Sequence, residues 1–193
     1  MFAGIPSILT GYKQGAFSVS INQKLTRDSA QQQTEMMANL GAISLGVKQP
    51  STVFREVLER CTTYACAYDE LHDGYMVSPS YITLVGIKDN EGVVISRNRT
   101  DTIDVAHVSD EDWYLVQTND DHYLGECNSR CREAKKNFEN LGRSRLTPSL
   151  AFDRVLDQAP NVNTLSVYAS VMVPSAGLFL TELVTGTVIA DDL

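Results

Sequence analysis

Four short β-branched or aromatic runs crowd the middle of the chain: "YITLVGI" (81–87), "GVVISRN" (92–98), "IDVAHVS" (103–109) and "WYLVQTN" (113–119). Only the polar stretches "KDNEG", "RTDT" and "DED" separate them, the pattern of strands in an antiparallel meander. The "DNEG" turn is the strongest hairpin signal in the chain. Upstream, "AFSVSIN" (16–22) sets Phe17, Val19 and Ile21 on one face and Ser18, Ser20 and Asn22 on the other, the period of a half-buried strand. This reading expects residues 16–22, 81–87, 92–98 and 113–119 to be neighbouring strands of antiparallel sheet.

Helical signals lie around these strands. "RDSAQQQTEMMANLG" has Asp28 or Ser29 as a cap and Gly41 as a stop. "PSTVFREVLERCTTYACAYDELHDG" reads as one helix, with Pro50 and Ser51 at its start and apolar spacing at Val53, Phe54, Val57 and Leu58. "SRCREAKKNFENLG" closes at Gly142, and "PSLAFDRVLDQ" opens at Pro148. Two long strands, "TLSVYASVMVPS" and "GLFLTELVTG", follow. No repeat, low-complexity tract or linker divides the chain. Residues 1–193 therefore read as a single α+β domain in which helices pack on antiparallel sheet.

With 43% hydrophobic and 21% charged residues, the 193-residue chain has the composition of a globular domain. Its net charge of −8 argues against nucleic acid, which calls for clustered Lys and Arg. No apolar run approaches the roughly 20 residues of a membrane helix, and "MFAGIPSILTG" lacks the charged start and long apolar centre of a signal peptide. "NRT" at Asn98 is a glycosylation sequon. The four cysteines form two close pairs, Cys61 with Cys66 and Cys127 with Cys131. They make no zinc pattern, since there is no Cys-x-x-Cys and His72, His107 and His122 are scattered. Nothing points to a metal or cofactor. Cys127 and Cys131 read either as a local disulfide in an oxidising compartment or as half-buried free thiols near a helix start; the sequence leaves both open.

The run "WYLVQTNDDHY" poses the functional question, because an apolar strand ends in six consecutive polar residues, Gln117 to His122. Asn119 could simply open the loop, as Asn often does. Asp120 and Asp121 read as solvated carboxylates, and His122 as a surface residue.

Taken in order, "LTGYKQGAFSVSINQK", "YITLVGIKDNEGVVISRNR", "WYLVQTNDDH", "SRCREAKKNFENLG" and "LSVYASVM" resemble the acid ceramidase and N-acylethanolamine acid amidase family, relatives of choloylglycine hydrolase, along nearly the whole chain. The resemblance implies part of an αββα N-terminal-nucleophile hydrolase in a lysosomal or secreted setting. Self-cleavage there exposes a Cys that attacks a fatty-acid amide, with its own amine as base and fixed donors for the oxyanion. By the same resemblance Asn119 is the oxyanion donor. The family arginine falls on Arg130 when the helix is aligned by Ala134 and Gly142; counting forward from Asn119 would allow Arg132.

Two departures qualify the resemblance. The family's catalytic Cys, with the Arg and Asp behind it, lies upstream of "LTGYKQGAFS", and no such segment stands in these 193 residues; Cys61 and Cys66 fall within a helix-like run. The family's Glu in the strand motif is Gln23 here, followed by Lys24, so any charge role at that place is lost. The expectation is the C-terminal portion of an acid-amidase-type hydrolase, inactive without the missing segment. The rival is a non-catalytic truncated relative serving as a lipid-binding or partner-binding module.

Overall fold

The computed structural model describes residues 8–24 and 28–184. Its centre is a five-stranded sheet in the order β1 (Thr10–Lys13), β2 (Phe17–Gln23), β3 (Ser80–Val85), β4 (Gly92–Arg97) and β5 (Thr102–His107), with every neighbouring pair antiparallel. Register follows the apolar positions: Ile21 faces Ile82, Ile82 faces Ile95, and Ile95 faces Val105. A slip of one residue would turn this whole set to the other face.

The sequence reading of "PSTVFREVLERCTTYACAYDELHDG" as one helix is corrected. It forms α2 (Pro50–Arg60) and α3 (Tyr64–His72), broken at an extended Cys61 and Thr63. The Thr63 hydroxyl caps α3 by accepting from Cys66 N–H, and a Cys61–Cys66 disulfide closes the corner with Cα atoms 5.5 Å apart. Lys13 Nζ donates to the carbonyls of Leu58 and Cys61 at 3.0 and 2.7 Å, satisfying the end of α2. Phe54, Val57 and Cys61 with Ala67 and Leu71 then bury against Phe17, Val19, Ile82, Leu84, Val93 and Ile95. Each large apolar side chain in this core contributes about 1.5–3 kcal/mol.

Ahead of them, α1 (Ser29–Ser44) starts at Asp28, whose carboxylate accepts from Ala30 N–H. Gly41 does not stop it. An internal glycine costs only about 1 kcal/mol, and the chain leaves the helix at Gly46, where φ is +77°. Arg27, the first residue of that predicted helix, lies outside the described residues. No helix among the described residues is long and apolar enough to cross a membrane.

The opposite sheet face carries Ser18, Ser20, Asn22 and Thr83, and a second strand layer lies over it. The strands β6 (Tyr168–Val173) and β7 (Leu178–Leu183) form a hairpin. It is fixed to the first hairpin by Gly15 N–H on the Pro174 carbonyl at 2.9 Å, Tyr12 OH on the Gly177 carbonyl, and the Tyr12 and Phe179 rings 5.3 Å apart. Both strands are shorter than their sequence runs, the second of which continues past the described residues. Outside this layer stand α4 (Ser129–Leu141), capped by Asn128 and ended by Gly142, and the short α5 (Pro148–Ala151), which runs on into the wider turn Phe152–Leu156. The order helix, sheet, strand layer, helix keeps the expected α+β layering.

Residues 113–119 are a second correction. They form no regular secondary structure and belong to neither sheet, and no strand among the described residues pairs with them. Side chains hold the run instead: the Tyr114 ring stacks on Phe138 of α4 with centroids 4.7 Å apart, and Trp113 meets Phe138 edge-on. Alternation supplies a face to bury, but a ladder also needs a partner strand.

Candidate active site

The chain bends at Asn119 and Asp120, and the bend gathers the polar residues in question. The Asn119 Nδ2 donates to the Gln23 carbonyl at the end of β2 (2.8 Å), while its Oδ1 accepts from Arg130 Nη2 in the first turn of α4. A primary amide has two N–H donors. One is occupied by Gln23; the other makes no hydrogen bond to the described residues. The guanidinium on Oδ1 also polarises the amide and strengthens that N–H as a donor.

Arg130 and Arg132 have different duties: Arg130 reaches Asn119, whereas Arg132 donates to the Cys127 carbonyl at 2.6 Å. Cys127 and Cys131 are disulfide-bonded, their Cα atoms 5.2 Å apart, and the bond straddles Arg130. With Cys61–Cys66 this commits all four cysteines of the sequence.

The acidic residues after Asn119 are not solvated as expected. Asp120 is 8% exposed, and its carboxylate accepts from Asn128 N–H, tying the residue after Asn119 to the cap of α4. Asp121 pairs with Lys24 at 2.7 Å and accepts from Tyr81 OH at 2.6 Å; Lys24 also donates to Tyr123 OH. His122 has a partner too, its Nε2 lying 3.1 Å from Asp104 Oδ2 on β5. Gln117 folds back to donate to the carbonyls of Thr118 and Asp120, both at 2.9 Å. The run is therefore a braced corner between β2, β3, β5 and α4. Sequence reading missed Lys24, Tyr81 and Asp104 because their partners lie far along the chain. The one signal was Lys24, a lone cation at a strand end. Gln23 contributes its main-chain carbonyl to Asn119, so that contact does not depend on a Glu side chain.

Burial opposes the Asp121 charge, but the bonds from Lys24, Tyr81 and Tyr123 outweigh it and hold the carboxyl below its ordinary 3.8. For Lys24 burial is likewise outweighed by Asp121 and Tyr123, and its value rises above 10.5. The sign of each linkage follows. A depressed carboxyl stabilises the fold above its unfolded value and loses this as pH falls through the folded one; a raised amine stabilises below its unfolded value and loses this as pH rises through the folded one. The pair thus stays charged through the mildly acidic range. Asp121→Asn is expected to cost about 1 kcal/mol between about pH 5 and about pH 7, after solvent screening of a partly exposed pair. The difference from wild type should shrink below the ordinary carboxylate range, as urea denaturation across pH would measure.

A groove of about 400 Å³ adjoins this corner, with Ser20, Asn22 and Thr83 of the sheet on one side, Val116, Thr118 and Arg130 on another, and Phe138, Val155 and Leu156 as apolar wall. Two further grooves, of about 540 and 450 Å³, run between α1 and the sheet edge and share Gln23. Arg130 lines the first groove and Gln23 the other two; Asn119 lines none of the three but is bonded to both of these residues. Among the described residues no three His, Cys, Asp or Glu side chains are grouped to hold a metal ion.

No protein-family model matches the chain. It is 36% identical over 176 residues to the N-acylethanolamine-hydrolyzing acid amidase of Caenorhabditis elegans, covering 90% of this chain and 48% of that protein. It is 31% identical over 191 residues to mouse acid ceramidase, covering 94% of this chain and 46% of that protein. The chain thus spans about half the length of the curated relatives it matches. A solved structure of the Caenorhabditis elegans amidase ortholog superposes with a TM-score of 0.82 at 33% identity, covering 95% of this chain and 80% of that one. With that fold and these relatives, the chain belongs to the family of N-acylethanolamine-hydrolyzing acid amidase and acid ceramidase.

Proposed function

We propose that this chain forms part of an amidohydrolase that cleaves a linear fatty-acid amide, an N-acylethanolamine or a ceramide, with a Cys nucleophile carried by a segment outside these 193 residues. The observation that supports the reading is the Asn119 amide, clamped by the Gln23 carbonyl and by Arg130, a wall residue of the apolar-walled groove, with one N–H that makes no hydrogen bond to the described residues. Attack of a thiolate on an amide carbonyl puts negative charge on its oxygen, and a fixed donor that needs no reorganisation stabilises that charge. Asn119 is the donor in this reading and Arg130 the residue that aims it. Because every cysteine here is in a disulfide, none is available as the attacking thiolate.

The same bonded cysteines fit a second reading, a non-catalytic relative that keeps the groove for a lipid or a partner. Two disulfides suit an oxidising compartment, which supports a lysosomal or secreted location. The full-length protein is expected to hydrolyse a fluorogenic fatty-acid amide at acidic pH, and the 193 residues alone are expected not to. Binding of the same amide by the full-length protein without turnover would favour the second reading instead.

A further inference from the structure

The chain contains one sequon, Asn98-Arg99-Thr100, in the turn between β4 and β5. Its three side chains point to different ends. Arg99 turns into the protein, donating to the Val77 carbonyl at 3.0 Å and to Asn39 Oδ1 at 2.7 Å, and pairing with Glu35 of α1. Asn98 stays at the surface in an Asx turn: its Oδ1 accepts from Thr100 N–H at 2.8 Å, from Asp101 N–H at 2.6 Å and from Thr100 Oγ1 at 3.3 Å. The Nδ2 carries none of this load; it meets Asp101 Oδ2 at 3.5 Å, the limit of a hydrogen bond. Thr100 is exposed, and Asn98 is partly exposed on the rim of the groove of about 540 Å³ beside α1.

We infer that Asn98 is an N-glycosylated residue, its sugar standing at the mouth of that groove. The transfer joins Asn98 Nδ2 to the anomeric carbon of a lipid-pyrophosphate-linked oligosaccharide. The new N–C bond replaces the C–O bond to the pyrophosphate, which leaves with its electron pair, and the amide gives up one proton. The folded turn tolerates the product because every strong bond made by the Asn98 side chain is through Oδ1, which the new bond leaves intact. The inference rests on the oxidising compartment that the two disulfides support, since both modifications belong to the secretory route.

The test is the full-length protein expressed in insect cells, treated with peptide-N-glycosidase in heavy-oxygen water and mapped by mass spectrometry with the cysteines alkylated before and after reduction. The expected result is heavy-oxygen Asp at position 98 in the treated peptide and a glycosidase-sensitive mass shift. Thr100→Ser should keep that shift, and Thr100→Ala and Asn98→Asp should lose it. Asn98→Asp is the folding control, because a carboxylate oxygen accepts the same turn bonds. Unmodified Asn98 in protein whose four cysteines are all oxidised would overturn the inference while leaving the compartment reading intact. Unmodified Asn98 with reduced cysteines would overturn both.

Discussion

In the full-length enzyme, Asn119→Ala is expected to lower kcat by roughly 10² to 10³-fold with little change in KM, the loss typical of one oxyanion donor. The expectation comes from how the amide is held. Its oxygen is occupied by Arg130 and one N–H by the Gln23 carbonyl, so the side chain cannot turn to satisfy itself elsewhere when the other N–H is needed. Truncation also strips Arg130 of its acceptor, so a second variant has to separate donation from support. Asn119→Asp retains an oxygen for Arg130 but offers no N–H and adds a negative charge beside a developing one. It should be at least as slow as Asn119→Ala, and because both variants lose the bond to the Gln23 carbonyl while only Asn119→Asp keeps an acceptor for Arg130, their thermal denaturation separates support from donation. Wild-type turnover in Asn119→Asp would reduce Asn119 to a hinge between β2 and α4.

How much of this was legible beforehand depends on how far each contact reaches along the chain. The strands β2, β3 and β4 were readable because their alternation and turns are local, and Asp28 and Gly142 because caps act within one turn. The break at Cys61 was not. Its cause is a Thr63 cap and a lysine from β1, and the helical period on either side continues without a visible interruption. Residues 113–119 failed for the opposite reason, since their pattern is good but no described strand pairs with them. At the site, ordered resemblance led to Asn119 and Arg130, and the structure brings the two into contact. The bracing of Asp120, Asp121 and His122 was invisible, since a carboxylate that pairs with a lysine 97 positions upstream looks in sequence like any solvated one. Likewise "ISRNR" marked a strand end without announcing that its two arginines turn inward.

The first of those arginines supports the other large expectation: Arg97→Met should destabilise the protein by about 3–5 kcal/mol, the scale of breaking a buried hydrogen-bond network around a charged donor. Arg97 is fully buried, and its guanidinium donates to the carbonyls of Leu71, Asp73 and Gly74, where α3 ends and the chain turns back at a glycine with φ +91°. Thr102 adds a bond to the His72 carbonyl at 2.6 Å, so β4 and β5 together hold the exit of α3. Burial disfavours the cation and pulls its pKa down, while Asp73 and Asp101 push back. Methionine would remove that desolvation cost but leave the buried Leu71 carbonyl and the part-buried Asp73 and Gly74 carbonyls without this donor, at about 1–3 kcal/mol for each that water does not reach, so the loss wins. Arg97→Lys, with a single nitrogen that cannot span the same three acceptors, should fall between the two. For a chain of this size the methionine variant corresponds to a fall in Tm of about 10 °C or more. Because residues 71–77 lead straight into β3 and Tyr81, the partner of Asp121, the loss should also loosen the corner that carries Asn119. A Tm within about 3 °C of wild type for Arg97→Met would show that the carbonyls find other donors and that the clamp is dispensable.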